Sequence, residues 1–307
     1  MTDHQLECIV AIANTGNITA AAKTLFVSQS SLSQLLAGVE KELGVQLFDR
    51  NASPLTPTYA GEQFLQAARR VLEIRQDLTY KIADLNHSCR GRIVIGISQK
   101  RSWLFMPVVL SAFMKQYPEV EIVFLEDDQQ HLDELVLNGK VDIAFTTQPR
   151  LLEELEYHFL YREYMLLALP GDHPLCDRLA EGDAPDLRLL ADVPFILNHE
   201  GHDIRAMCDR IFADFGIHPR VLLESHSMDV CFQMAAYGLG AAIIPDTLAK
   251  DHPFRDRVRC FRIGAPYSRN VVIAYRKNMY LSFIMQEFIA ISTKQILDKY
   301  GPEPKEI

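Results

Sequence analysis

Between residues 17 and 61 the chain reads NITAAAKTLFVSQSSLSQLLAGVEKELGVQLFDRNASPLTPTYAG. Two short helical patterns flank a tight break, and an apolar, hairpin-like segment follows. Few folds satisfy that order. It is the layout of a winged helix-turn-helix, a device that presents one helix to the DNA major groove.

The pattern extends upstream. Thr2 or Asp3 can cap a helix carrying Leu6, Ile9, Val10 and Ala13 on one face, and Gly16 suits its end. Asn17 can cap a second helix in which Ala20, Ala21, Ala22 and Leu25 allow close helix approach. Phe26 and Val27 make the turn, and Ser28 caps a third helix running to about Leu43. Leu32, Leu35, Leu36, Val39 and Leu43 recur at three- and four-residue spacing and are expected to face a core. Gln29, Ser30, Ser33 and Gln34 fall on the opposite face of the first two turns. Gln can pair bidentately with adenine, Ser with several base edges, and the helix N-terminus offers N–H groups to phosphate. Taken alone, such a face also suits plain solvation. The order of three helices and a wing favours DNA.

The chain resembles the LysR-type transcriptional regulators at Ala20-Ala21-Ala22, Ser28-Gln29-Ser30, Leu32-Ser33, Val39-Glu40, Glu42-Leu43-Gly44, Leu47-Phe48, Arg50, Leu55-Thr56-Pro57 and Ala60-Gly61, and more loosely over almost its whole length. The resemblance implies an α+β multidomain protein: an N-terminal winged helix-turn-helix (1–58), a linker and dimerisation helix (59–90), and a two-lobed α/β effector domain of the periplasmic-binding-protein type (91–307). Lobe I takes about 91–162 and 265–301, lobe II about 163–264. With the third-helix residues Ser28, Gln29, Ser30, Ser33 and Gln34, the implied DNA contacts include Thr19, Arg50 and Thr56.

Two departures bear on DNA affinity. The family usually carries Arg where this chain has Gln34, and its wing is basic, whereas Asn51-Ala52-Ser53-Pro54 is uncharged. Residues 1–60 hold Lys23, Lys41 and Arg50 against Asp3, Glu7, Glu40, Glu42 and Asp49. DNA affinity rests largely on neutralising phosphates. Helix N-termini and hydroxyls can hold phosphates without formal charge, and oligomers sum weak contacts. The expectation is weak binding per unit with a shallow salt slope. Of the net charge of −9, residues 1–60 contribute −2 and residues 61–91 contribute +1, so the acidity sits in the C-terminal part.

No N-terminal apolar run resembles a signal peptide and no stretch approaches 18 apolar residues, which predicts a cytoplasmic protein without a membrane partner. Six scattered cysteines (8, 89, 176, 208, 231 and 260) read as free thiols. One branch of the family senses peroxide. In the local match Gly201-His202-Asp203, Asp203 stands where that branch would have its reactive Cys, which argues against such sensing.

Residues 58–88 predict a helix about 45 Å long. Phe64, Leu65, Ala68, Val71, Leu72, Leu78, Ile82 and Leu85 form its apolar stripe, with Arg69, Arg70, Glu73 and Arg75 on other faces. Such a helix usually finds a partner, and packing on its own domain is the alternative. In the resembling family it pairs subunits, with a dimer or tetramer as the assembly. Arg90-Gly91-Arg92 would then be the hinge.

From residue 92 strand-like runs (93–98, 122–126, 142–147, 165–169, 195–198, 221–225, 241–244, 258–263 and 271–275) alternate with helical runs (103–117, 129–138, 204–215, 228–237 and 280–297). That is α/β with covered sheet faces, and crossings near 161–165 and 263–270 give two lobes with a cleft. Ligands in such sheets sit beyond the C-terminal strand ends. The candidates are Ser98, Gln99, Lys100, Arg101 and Ser102 as an anion-favouring loop, Thr146 and Thr147 on the same lobe, and Asn198, His199 and His202 opposite, with Ser225 and His226 weaker. Lys100 and Arg101 point to a small organic anion as effector, whereas Glu126, Asp127 and Asp128 favour a zwitterion or amine. There is no nucleophile elbow, phosphate loop or helical His pair at zinc spacing, so no enzyme, cofactor or metal is expected. His199 and His202 lack a third ligand.

The expected function is regulation of transcription. Double-stranded operator DNA and a small-molecule effector are the partners, and RNA polymerase is a further candidate. The alternative is a two-lobed small-molecule-binding protein without direct DNA regulation.

Overall fold

The computed structural model describes residues 1–50, 52–85, 90–147, 152–178 and 185–301. Helix α1 (Asp3–Thr15) starts with a reciprocal cap: the Gln5 amide donates to Thr2 Oγ1 at 3.3 Å, and the Thr2 amide to Gln5 Oε1 at 2.7 Å. It ends where Gly16 turns left-handed at φ 61°. Asn17 caps α2 (Ile18–Thr24) by accepting from Thr19 N and Ala20 N, and Ser28 caps α3 (Gln29–Leu43) by accepting from Ser31 N. Leu6, Ile9, Ile12, Ala21, Leu32, Leu36 and Val39 close a small core with Phe48 beneath. Leu35 is half-buried, and Leu43, expected inside, is 42 % exposed. The last turn of α3 outruns a core that Leu47 and Phe48 already fill.

The wing is a two-residue hairpin, β1 (Phe48–Asp49) against β2 (Thr56–Pro57). Asn51 of the expected wing lies outside the described residues. Helix α4 (Tyr59–Leu85) follows, and positions 86–88 of the expected helix also lie outside them. Gly61 lies against Leu47, where any Cβ would come 1.9 Å from the Leu47 carbonyl oxygen, so this junction requires glycine.

Two sides of α4 serve its own chain. Leu65 and Ala68 enter the N-terminal core, while the Tyr80 hydroxyl donates to Asp142 Oδ1 at 3.1 Å and Tyr280 donates to Asp84 Oδ2 at 2.9 Å. Arg276 pairs with Glu73 at 3.4 Å. Self-packing, the alternative left by the sequence, is thus half realised. The outward side keeps Val71, Ile74, Leu78, Ile82 and Leu85 between 47 and 75 % exposed.

The C-terminal part comprises β3 (Gly91–Ile97), α5 (Gln99–Gln116), β4 (Val120–Glu126), α6 (Gln129–Leu137), β5 (Ile143–Thr147), β6 (Leu155–Pro170), β7 (Pro194–Asn198), α7 (Asp203–Phe215), β8 (Arg220–Ser225), α8 (Met228–Ala236), β9 (Ala241–Pro245), α9 (Asp246–Lys250), β10 (Val258–Arg262), β11 (Ser268–Arg276) and α10 (Phe283–Tyr300). One lobe orders β4-β3-β5-β11-β6 with α5 and α10 over one face and α6 over the other; the second orders β6-β9-β7-β8, with β10 on the free side of β6. Helix α7 covers one face of this second sheet, α8 and α9 the other.

The expected short strand at 165–169 is instead the second half of β6, whose 16 residues serve both sheets. Its first half pairs with β11 as far as Tyr164, and from Met165 it pairs with β9, so the lobes share a continuous strand at the crossing. The five described cysteines are free thiols, four of them buried, and Cys89 lies outside the described residues.

Candidate functional site

On α3, Gln29, Ser30 and Gln34 are exposed and Ser33 is half-buried, while Leu32 and Leu36 hold the helix down from the opposite side. Thr19 and Thr56 are exposed as well. Part of the set has structural duties. Ser28 accepts from Ser31 N at 3.1 Å and bonds the Ser30 and Ser31 hydroxyls at 3.0 and 2.7 Å. Arg50 meets Glu40 at 2.7 Å and is 58 % exposed. Glu40, 7 % exposed, also accepts from the Leu47 amide at 2.8 Å, so the pair ties the wing to α3. The side chains left for base edges are amides and hydroxyls.

The second candidate is a cleft of about 740 Å³ between the lobes. Ser98, Gln99, Lys100, Arg101 and His202 line it, as expected; Ser102, Thr146, Thr147, Asn198 and His199 do not. Each has another role. Residues 99–102 are not a loop but the first turn of α5, with Ser98 at its N-cap. Ser102 continues that helix; its amide donates to the Ser98 carbonyl at 2.9 Å. Thr146 and Thr147 are buried in the last rungs of β5, where both pair with β11. The Asn198 side-chain amide donates to the Ser225 carbonyl at 3.2 Å. His199 stacks on His226 at 4.2 Å and lies 3.6 Å from Glu224. His202 caps α7 by accepting from the Ile204 amide at 3.3 Å. Among the described residues no cluster of three metal-ligating side chains exists.

The expected anion-favouring loop is corrected most strongly by its cations. Lys100 is bound to Asp229 of α8, across the cleft, and its ammonium lies 4.3 Å from the centre of the Trp103 ring. Arg101 is buried, 3.5 Å from Glu163. Glu163 also takes Arg269 at 2.5 Å and the Thr247 hydroxyl, and Arg269 reaches on to Asp203. Thr147 donates to the same Asp203 at 3.5 Å. Burial alone would push the Glu163 and Asp203 carboxyls up, but Arg269 and Arg101, together with hydrogen bonds from Thr247 to Glu163 and from His202 to Asp203, outweigh it and hold both below the usual carboxylate range. Burial likewise works against the charge on Arg269, and Glu163 with Asp203 raises its pKa above the ordinary guanidinium value. A chain of four charges therefore runs from α5 through both crossing strands to α7.

Beside it, burial and the charge of Glu163 lift Asp246 to about 6. Sequence reading passed over Glu163, Arg269, Asp229 and Trp103. The available signal was a charged residue at the edge of a strand-like run, which must be paired if buried.

Residues 4–62 match the family described as bacterial regulatory helix-turn-helix protein, lysR family, and residues 86–296 match the LysR substrate binding domain. This chain belongs to the LysR family. Similar relatives include the uncharacterized HTH-type transcriptional regulator YcgK of Bacillus subtilis, 27 % identical and covering 95 % of this chain and 94 % of its own length. The probable HTH-type transcriptional regulator LrrA of Synechococcus elongatus is 30 % identical over 81 % of this chain and 82 % of its own. Among solved structures, a single-residue variant of full-length OxyR from Pseudomonas aeruginosa matches with a TM-score of 0.73 at 25 % identity, covering 100 % of this chain and 99 % of that one. This LysR protein is thus a DNA-binding transcriptional regulator with a C-terminal effector domain. No helix among the described residues is long and apolar enough to cross a membrane.

Proposed function

We propose that this regulator reads its operator through Gln29, Ser33 and Gln34 of α3, with Thr19, Ser30 and Thr56 and the helix N-termini holding phosphates, and that an effector in the interlobe cleft sets its activity. The observation that carries the reading is the neutral, hydrogen-bonding outer face of α3 on a well-packed three-helix core. Ser28 and Arg50 belong to the same surface, but their contacts support a shaping role. The limits follow the linker: a DNA-binding unit at 1–58, a linker helix at 59–90, and an effector domain from 91.

The mechanism rests on which parts are joined. Helix α4 is tied to the first lobe through Tyr80–Asp142, Glu73–Arg276 and Asp84–Tyr280. The second lobe reaches the first through β6, the strand crossing and the charge chain. A ligand that shifts the second lobe would therefore leave α4 with its own lobe and change how subunits meet. It can bias that equilibrium only by its affinity difference between the two arrangements. Subunits pair through the exposed stripe of Val71, Ile74, Leu78, Ile82 and Leu85, whose spacing is that of a helix seam. Such pairing gives a homo-oligomer in the cytoplasm, where the DNA is, acting on RNA polymerase rather than catalysing a reaction. Among the described thiols, burial lifts Cys231 to about 12 and Cys260 to about 11, which supports a non-redox signal.

The test is a gel shift of the full chain on DNA upstream of its own gene, against scrambled competitor. Replacing Gln29 and Ser33 together by Ala is expected to reduce discrimination by about ten- to a hundredfold, since a bidentate pair contributes about 1–3 kcal/mol. Unchanged discrimination at unchanged folding would remove α3 as the reading helix.

A further inference from the structure

The end of α2 fixes the conformation of Phe26. The Phe26 amide donates to the Lys23 carbonyl at 3.2 Å, and the Val27 amide reaches back to the Ala22 carbonyl at 3.0 Å. Those two bonds define a helix end whose residue after the cap is left-handed, a place that glycine usually takes and asparagine sometimes. Here it is Phe26, with φ 56°. Among the described residues one other non-glycine residue has positive φ, Asn278, and asparagine tolerates it. For a bulky side chain this backbone is strained. Leu25 and Val27, on either side, turn in to the core of the N-terminal unit, so the turn seats α3 and leaves Phe26 outside.

Strain of this kind persists where burial offsets it, and here burial does not. Phe26 is 96 % exposed, the most exposed large apolar side chain among the described residues. A lone exposed apolar residue is ordinary. One that also strains the backbone works against its own fold twice: glycine would make the same turn without strain and without an aromatic ring in water. The reason for the ring lies outside the subunit.

Its position selects the occupant. Phe26 stands two residues before the Ser28 cap of α3, and Ser28, Gln29 and Ser30 are all exposed. Three residues earlier, in the last turn of α2, Lys23 is exposed too. A cation, an aromatic ring and hydrogen-bonding side chains therefore follow one another along the start of α3. A duplex offers the matching series of phosphates, apolar sugar and thymine-methyl surface, and base edges. The N-terminal unit also carries more acids than bases, so its DNA affinity calls for contributions other than charge.

We propose that Phe26 is a DNA contact: its ring packs on apolar surface of the duplex, a thymine methyl or a deoxyribose, at the edge of the groove that α3 enters. The inference rests on α3 as the reading helix. The ring supplies affinity that salt does not screen, in a unit short of cations.

Phe26→Asn and Phe26→Gly both suit the turn. Gel shifts of the full chain, on a duplex selected by the wild-type chain from random sequence, and urea unfolding of the same preparations test the proposal. Each variant is expected to leave the unfolding midpoint of the N-terminal unit unchanged or higher, yet to weaken DNA binding about tenfold, the loss expected from about 50 Å² of apolar burial. The slope of affinity against salt should stay the same, because no phosphate contact is lost. Phe26→Leu should keep most of the affinity. The same duplex with uracil for thymine separates the two apolar surfaces: if the wild-type loss on uracil vanishes in Phe26→Asn the ring meets a methyl, and if it is the same in both the ring meets a deoxyribose. Wild-type affinity in the Asn and Gly variants, a lower unfolding midpoint, a changed salt slope, or a loss matched by weaker subunit association in sedimentation overturns the proposal. Replacing Gln29 and Ser33 in parallel keeps the two readings apart. If that pair loses discrimination while the Phe26 variants bind as wild type, α3 remains the reading helix and only the role of Phe26 is lost.

Discussion

The two ends of this regulator are held together by different physics. The DNA-reading unit is an apolar cluster closed by side-chain caps, and the one buried charge among its described residues, Glu40, is answered within ten residues by Arg50. The cleft is held by charges far apart in sequence: Glu163 meets Arg269 across 106 positions, and Asp203 meets it across 66. Packing of the first kind responds weakly to pH and salt. The second kind couples the relative position of two lobes to every charge that enters between them. A regulator gains from this division, because the reading head stays rigid while the sensing part remains responsive.

The largest expected effect comes from breaking the second kind directly. Arg269→Met leaves Glu163 and Asp203 buried without their shared cation, and removing one partner of a buried pair costs about 3–5 kcal/mol. Urea unfolding followed by hydrogen exchange is expected to show the loss in β6, β11 and α7, with the amides of α1 and α3 unaffected. Equal loss in both regions would mean that they are not independent.

A pH experiment sharpens the same contrast. Asp246 has its carboxyl raised to about 6, by burial first and the charge of Glu163 second, against 3.8 for the free side chain. The folded state thus holds this proton more tightly than the unfolded one. The stability contributed by protonation is fully present below about pH 4 and is lost as pH rises through about 6. Asp246→Asn should therefore stabilise the effector domain at pH 7.5, on the order of 1–2 kcal/mol, with the gain fading toward pH 4. Asp203 runs the other way: held low against burial by Arg269 together with His202 and Arg101, it contributes stability above the free carboxylate range that is lost only in stronger acid. A melting series over pH 4–8 that rose for wild type toward pH 8 yet left the Asn variant unchanged relative to it would contradict the assignment.

The same division decides what the sequence could tell. The caps at Thr2, Asn17 and Ser28, the stop at Gly16 and the stripe of Leu32, Leu36 and Val39 are local, so spacing reveals them. The strands were readable to within a few residues except β6, where residues 155–164 read LEYHFLYREY, too charged and aromatic for a clean alternation because this half crosses between two sheets. At the cleft, periodicity has nothing to say about which carboxylate a given arginine will find. Lys100 and Arg101 read as cations open to a ligand at a helix start, and only the three-dimensional fold brings Asp229 and Glu163 to them. The rule that ligands gather at strand ends pointed to the edge of the sheets where the cleft lies, but there Thr146, Thr147 and Asn198 are spent on the framework.

The smallest expected effect lies at the cap of α3, where both kinds of interaction meet. Ser28 accepts from the Ser31 amide at 3.1 Å in an exposed position, so Ser28→Ala should cost about 0.5–1 kcal/mol, the low end for a lost cap, since water can reach the freed amide. Ser28→Asp should restore the cap and favour the positive end of the helix dipole, recovering that stability. On DNA the two substitutions should part. If the start of α3 faces a phosphate, the Asp variant, although the better-folded protein, binds every sequence more weakly than the Ala variant, with little change in discrimination between operator and scrambled DNA. If Ser28 serves only the helix, affinity follows stability and the Asp variant binds as wild type does. Unfolding curves and gel shifts on the pair decide between a purely structural cap and one that also marks where the backbone of the duplex lies.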